Sequence, residues 1–166
     1  MKMALTHQRL LEVLAYDDST GVFTRIGGGW VPGIGKAAGT IERIKCAKRV
    51  RIYVDSQGYR AHRLAWFFVH GEWPSGDVDH IDGNPLNNAI ANLRCVNRSV
   101  NMENQRRARA DSKLGILGVS QRSENSFRAT IYVRGTAHRL GNFTNAEEAH
   151  QAYLTAKRQL HVGCTI

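Results

Sequence analysis

The chain predicts an α+β protein built in two parts: a strand, loop, strand and helix segment, then a small three-stranded antiparallel sheet packed on one helix. Three observations carry this expectation. Residues 78–104 (VDHIDGNPLNNAIANLRCVNRSVNMEN) place two short strand-like runs around Asp82, Gly83, Asn84 and Pro85, residue types that bend a chain through their own backbone chemistry. Residues 126–133 (SFRATIYV) alternate, with Phe127, Ala129, Ile131 and Val133 on one face and Arg128, Thr130 and Tyr132 on the other. Further on, Ala149, Tyr153, Ala156 and Leu160 recur at helical spacing. With 166 residues and 42% hydrophobic content, the chain can build one domain or two small ones.

From the N-terminus, Leu5, Leu10, Leu11 and Leu14 predict a short helix that Thr6 caps, with Leu5 stapled onto Leu10. Residues 16–20 are polar, Gly21 allows a turn, and residues 22–25 read as one strand of a hairpin whose partner the pattern leaves open. Residues 27–39 hold six of the 16 glycines and read as loop, with Trp30 expected to anchor it. This stretch is no phosphate cradle, because Ala37 follows Lys36 where a P-loop needs Ser or Thr. Residues 49–54 (RVRIYV) alternate as a strand, residues 55–58 turn, and residues 59–62 return, a hairpin carrying Arg49, Arg51 and Arg60. Residues 62–71 then fit an apolar helix, with Leu64, Ala65, Trp66 and Phe68 packing inward and Gly71 as its stop.

The chemistry-bearing side chains gather in residues 78–104. Asp79 offers a hard oxygen suited to Mg²⁺ or Mn²⁺, and His80 an imidazole that accepts a proton near neutral pH. Residues 92–96 predict a second strand, and residues 97–105 a helix capped by Asn97 or Ser99, which offers amide oxygens from Asn101 or Asn104. Such a set fits metal-assisted hydrolysis of a phosphodiester.

Asp79, His80, Asp82, Gly83, Asn84, Asn87, Asn88, Asn92, Leu93 and Asn101 together resemble the ββα-metal motif of the HNH endonucleases, in particular the phage and intron homing branch. The phrase YRAHRLAW followed by HGEWP resembles the segment that precedes the motif in these enzymes. The resemblance implies that His80 is the general base, that Asp79 and Asn101 hold one divalent cation, Mg²⁺ or Mn²⁺, and that Asn92 bridges the strands and holds the loop that orients His80. Asn101 stands where many relatives have a final histidine, a change that bears on the choice of metal. His62 and Arg63 are placed to touch DNA or the scissile phosphate, with a structural role as the alternative for His62.

Residues 105–114, with Arg106, Arg107 and Arg109, read as a basic linker between a nuclease domain at 1–104 and a second domain at 115–166. In the latter, strands are expected near 118–120, 126–133 and 136–143, and a helix opens on a capping box of Thr144 and Glu147. Gly118, Val119, Phe127, Arg128, Ala129, the Leu140, Gly141, Phe143 phrase and the helix from Ala146 to Tyr153 resemble the ethylene-response-factor (APETALA-type) DNA-binding domain. That resemblance implies a sheet laid in the major groove, with Arg122, Arg128, Arg134 and Arg139 reaching bases or phosphates.

Charge agrees with a polyanionic partner. Lys and Arg number 23 against 14 Asp and Glu, a net charge of +9. Residues 43–63 carry seven cations and one acid, residues 97–139 nine and three, and residues 72–92 between them four acids and no Lys or Arg. Basic stretches flanking an acidic one suit a cation at the cut and duplex DNA held on either side. The three cysteines are far apart, so no four-cysteine zinc staple is expected, and a reduced cytoplasm is the expected compartment. Neither a membrane span nor a small-molecule substrate is expected. The function expected is metal-dependent DNA cleavage by a monomer that nicks, with a dimer required for two-strand cutting; the alternative is a DNA-binding regulator with a vestigial nuclease core.

Overall fold

Leu10, Leu14, Ile52 and Leu64 are wholly removed from solvent, and the first half of the chain is laid around them. The computed structural model describes residues 4–27, 33–44, 47–109 and 111–166, so Trp30 and Cys46 lie outside the described residues. The fold is α+β, and the chain divides into two compact units, Met1–Val96 and Asn97–Ile166.

The first unit opens with α1 (His7–Val13), where the Thr6 side chain accepts from the Arg9 N–H as its cap. Leu14 does not continue the helix as expected: it starts β1 (Leu14–Asp17), the antiparallel partner of β2 (Val22–Arg25). The reason is tertiary. As a strand, the segment buries Leu14 fully and sets the Tyr16 ring 4.6 Å from Phe23 and 5.6 Å from Phe68. Residues 33–38 fold back onto β2, with the Gly35 and Ala38 N–H groups donating to Arg25 and Phe23 carbonyls.

A three-stranded antiparallel sheet follows in the order β3 (Thr40–Ile44), β4 (Ala47–Val54), β5 (Gln57–Arg60). The sequence pattern missed β3. The turn between β4 and β5 is tighter than expected: Asp55 and Ser56 alone form it, both at positive φ (47° and 64°), and Gln57 already pairs with Val54. Such a two-residue turn matches the twist of the strands it joins. Ile52 and Val54 face the core, while Arg49, Arg51 and Tyr53 take the other face.

Helix α2 (Ala61–His70) ends on Gly71, whose φ of 75° provides the left-handed stop. It buries Ala61, Leu64, Ala65 and Phe67. Phe67 thus takes the place expected for Trp66 and Phe68, which are partly buried at the edge; Trp66 stacks on His70 at 4.0 Å. Val78 on β6 (Asp77–His80) and Leu93 on β7 (Leu93–Val96) join the same core, so the β6–β7 hairpin rests on α2. Shortening Leu64 to Ala would remove about 2–5 kcal/mol from this core.

The second unit begins with α3 (Arg98–Glu103), shorter than the expected 97–105, on whose first turn the Asn97 side chain accepts the Val100 N–H at 2.9 Å. Its far end is tied to the C-terminal residues: Glu103 accepts from the Gly163 N–H at 3.1 Å, and Asn104 from the Thr165 hydroxyl. Strands β8 (Val119–Ser123), β9 (Ser126–Val133) and β10 (Thr136–Phe143) form an antiparallel sheet in the order β10, β9, β8. Helix α4 (Ala146–Leu160) covers one face, burying Ala149, Tyr153 and Ala156 against Ala129 and Ile131. Asn145, not Thr144, caps it by accepting the Glu147 N–H at 2.8 Å, and Leu160 is exposed while Lys157 is buried. The long stem of Lys157 serves as packing, and its ammonium donates to the Gln105 carbonyl.

Candidate active site

The site is built on the β6–β7 hairpin and the loop that closes it. Asp79 and His80 end β6, and in the ladder Asp79 faces Arg94 and His80 faces Leu93. Both residues are 9% exposed, which places a carboxylate and an imidazole largely out of water where few polar groups go unless they have partners.

His80 finds one partner in Asn88, with Nε2 and Asn88 Oδ1 3.2 Å apart. The orientation of this amide is settled by its other end, where Nδ2 donates to the Leu86 carbonyl at 3.2 Å. With the amide in this orientation Nε2 donates to Asn88 Oδ1 in the tautomer that carries the ring proton there, the one in which Nδ1 is the acceptor. Asn88 is in turn 3% exposed and held from the N-terminal hairpin: the Tyr16 hydroxyl donates to its carbonyl at 2.7 Å, and the Ile90 N–H donates to Asp18 at 3.1 Å. Burial, with Asp18 and Asp17 adding to it, raises Tyr16 to about 12, so this donor keeps its proton.

Asn92 organises the loop. Its Oδ1 accepts the Asp82 N–H at 3.0 Å, while Nδ2 donates to Asp82 Oδ1 at 3.0 Å and to the Asn87 carbonyl at 2.9 Å. Asn87 adds a bond to the other Asp82 oxygen at 2.8 Å, and the Asn84 N–H one to Oδ1 at 2.7 Å. Partial burial by itself would raise the Asp82 carboxyl, but the bonds from Asn84, Asn87 and Asn92 and the nearby His80 outweigh it and hold the group below its usual range. Gly83 makes the tight bend at φ 70°. The loop is a polar network in which each asparagine of the DGNPLNN phrase has a defined contact.

Arg94, which sequence reasoning missed, and His62 complete the site. Arg94 donates from both Nε (3.1 Å) and Nη2 (2.9 Å) to one oxygen, Oδ2, of Asp79. The period-two register of two antiparallel strands would have found it, since Asp79 and Arg94 are direct cross-strand partners. His62, expected to touch DNA or the scissile phosphate or else to be structural, has its ring 5.2 Å from that of His80 in an edge-to-face arrangement. Burial first, then His80, Arg60, Arg63 and Arg49, push His62 down to about 3, so it is a neutral imidazole beside His80.

Among the described residues no three His, Cys, Asp or Glu side chains gather as a ready metal cage. The hard carboxylate of Asp79 nevertheless suits Mg²⁺ or Mn²⁺, cations that keep much of their water and take the remaining ligands from substrate phosphate. Asn101 lies on α3 in the second unit.

The arginines expected at DNA fall into distinct settings. Arg49, Arg51 and Arg60 sit on the outer face of the β4–β5 pair, where Arg51 forms an ion pair with Glu42 at 2.8 Å. Arg63 points into the protein, donating to the Gly76 and Pro74 carbonyls at 3.2 and 3.5 Å. Arg106 donates to Thr165 and Arg109 pairs with Asp111, while Arg107 is exposed. On the second unit's sheet, Arg128 meets Asn142 at 3.2 Å; partial desolvation first, then the nearby Arg122 and Arg139, lower its pKa. Arg122, Arg128 and Arg139 therefore form one positive face beside Thr130 and the 65%-exposed Tyr132, and Arg134 lies at the adjoining turn with φ 50°.

No helix among the described residues is long and apolar enough to cross a membrane. No solved structure matches this chain. Among curated proteins, it is 34% identical over 104 residues to Protein 3.8 of Escherichia phage T7, covering 61% of this chain and 84% of that one. It is also 29% identical over 136 residues to an uncharacterized HNH endonuclease of Acanthamoeba polyphaga mimivirus, covering 72% and 70%. The HNH endonuclease family matches residues 59–103, the stretch from β5 through α2 and the asparagine-tied hairpin to α3. Together with the extent of the phage likeness, that match makes this chain a member of the HNH endonuclease family.

Proposed function

We propose that the chain is a metal-dependent endonuclease of the homing type that hydrolyses phosphodiester bonds in duplex DNA. His80 is its general base, Asp79 is a protein ligand of one Mg²⁺ or Mn²⁺, and Asn92 is the organiser of the loop. The observation that carries this reading is the Asn88 contact, which holds the His80 ring through Nε2 against a fully tied loop. Next to it stands the carboxylate that a hard cation needs.

In the reaction, Nδ1 takes a proton from a water as that oxygen bonds to phosphorus; the bond from phosphorus to the 3′ oxygen breaks, and the 3′ oxygen takes its proton from solvent. The bound cation supplies stabilisation of the charge that builds on the phosphoryl oxygens and the leaving oxygen. Asn92 and Asn88 keep the imidazole in place, and neutral His62 adds no competing positive charge beside it. The 115–166 domain, read as an ethylene-response-factor type module, presents Arg122, Arg128, Arg134 and Arg139 to the duplex, with Arg49, Arg60 and Arg107 as further phosphate contacts. A monomer that nicks is the simplest form of this reading.

A nicking assay on supercoiled plasmid with Mg²⁺ or Mn²⁺, and with EDTA as control, tests it. Cleavage that needs the cation and falls roughly 10²- to 10⁴-fold in His80→Ala, with DNA affinity retained, is the expected result. An alanine variant that cuts normally overturns the assignment. DNA binding without any cutting by the wild-type chain favours the other reading, a DNA-binding regulator, which the positive face of the second unit's sheet would serve by itself.

A further inference from the structure

Arg94 is not needed to make the hairpin, since the β6–β7 ladder would pair equally well with another strand-forming residue at that position. It is nonetheless placed directly opposite Asp79, and its Nη2 and Nε donors converge on Asp79 Oδ2 at 2.9 and 3.1 Å. The side chains are 26% and 11% exposed, so this ion pair is shielded from the water and salt that weaken surface pairs. The carboxylate proposed as the cation's protein ligand is therefore already paired with one positive charge.

We propose that Arg94 is a positioning residue that holds the Asp79 carboxylate in place and, by neutralising it, keeps divalent-cation affinity low until a DNA phosphate enters the site. The inference rests on the reading of Asp79 as a cation ligand. A divalent ion approaching Asp79 in the DNA-free protein meets the guanidinium a few ångströms away, and repulsion between them weakens binding by roughly tenfold or more. A phosphate changes the balance. Its oxygens offer the guanidinium a second two-pronged partner and offer the cation further hard ligands, so all three charges are then satisfied at once. Cation and DNA would thus bind with positive coupling, and the coupling would weaken with loss of the Arg94 charge.

Titration of Mn²⁺ into the full chain, followed by the free-ion electron paramagnetic resonance signal with and without a short duplex, tests this without any reliance on cleavage. The wild-type chain should bind Mn²⁺ weakly alone and about tenfold or more tightly with duplex, whereas Arg94→Gln should bind it about tenfold more tightly than wild type in the absence of DNA and gain less from the duplex than wild type does. Arg94→Lys, which keeps the charge, should stay within about threefold of wild type. Arg94→Met gives the same reading should Arg94→Gln not fold. An unchanged or weaker DNA-free affinity in Arg94→Gln overturns the inference. Asp79→Asn separates the two levels: loss of the Mn²⁺ site there, with Arg94→Gln unchanged, removes only the role of Arg94. Binding that survives in Asp79→Asn removes the cation-ligand reading of Asp79 and this inference with it.

Discussion

The Tyr16 hydroxyl donates to the carbonyl of Asn88 at 2.7 Å across 72 residues of sequence, and the side chain of the same Asn88 meets the imidazole of His80. The N-terminal hairpin is thereby a brace for the proposed base. At its turn Gly21 has φ 73°, and a Cβ there would lie 2.2 Å from the Asn88 carbonyl carbon. Gly21→Ala must therefore push Asn88 and Ala89 away.

The expected effect of Gly21→Ala is a drop in single-turnover nicking of about 10²-fold, because displacement of a base by about 1 Å has that scale. Tyr16→Phe removes one hydrogen bond and should cost about 1 kcal/mol of stability with a smaller loss of rate. Gel-shift affinity for duplex should remain near wild type in both. Equal nicking by Gly21→Ala and wild type would show that the hairpin does not position His80.

Asn92→Ala leaves Asp82 and Asn87 without three bonds at once. Denaturant unfolding should show a loss of about 1–3 kcal/mol, with nicking reduced well beyond what the lost stability explains. Asn92→Asp is the sharper variant, since it keeps the shape but sets a second carboxylate about 3 Å from Asp82, where two like charges repel. It should be worse than alanine near neutral pH and recover as acid protonates the pair.

His62 ties stability to pH. Its folded value, about 3, lies below its ordinary one near 6.5, so on acidification the unfolded chain takes up the proton first. The stability contributed by the neutral ring is whole above about pH 6.5 and is lost progressively as pH falls toward 3, by about 1–2 kcal/mol near pH 5. The stability difference between wild type and His62→Gln should therefore shrink in acid. A difference that stays constant from neutral pH to about pH 5 would mean that His62 titrates normally.

The positive face of the second unit's sheet predicts a salt-dependent grip. Replacing Arg122, Arg128 and Arg139 together by Ala should weaken duplex binding across all sequences and reduce the slope of log affinity against log salt by about 2–3, the number of released counterions. A slope identical to wild type would remove this face from the interface. Gly118→Ala should disable the same unit differently, because its Cβ would fall 2.0 Å from the Tyr153 ring. Loss of cooperative melting of residues 97–166 is the expected readout.

Much of the second unit's fold was legible because its signals are local. The alternation of residues 126–133 and the helical recurrence of Ala149, Tyr153 and Ala156 are each read within one element, and the helix does cover the Ala129 and Ile131 face of the sheet. Errors arose where a partner far along the chain decided the outcome. Leu14 left its helix for a strand because Phe23 and Phe68 complete its cluster, and β3 was missed because only pairing with β4 makes a strand of Thr40–Ile44. Asn145 displaced Thr144 as cap by a shift of one residue, a choice made by backbone geometry that composition does not carry.

The sequence by itself determined the chemistry: which residues carry a carboxylate, an imidazole and a run of asparagines, and in what spacing, is written in residues 79–101. Only the tertiary structure decided how those groups are conditioned. That Asn88 holds the His80 ring, that Arg94 lies on Asp79 and that His62 is kept neutral all follow from contacts between separate strands, loops and helices. Electrostatic environment depends on distance and burial in space, and two side chains close in space can be any number of residues apart along the chain.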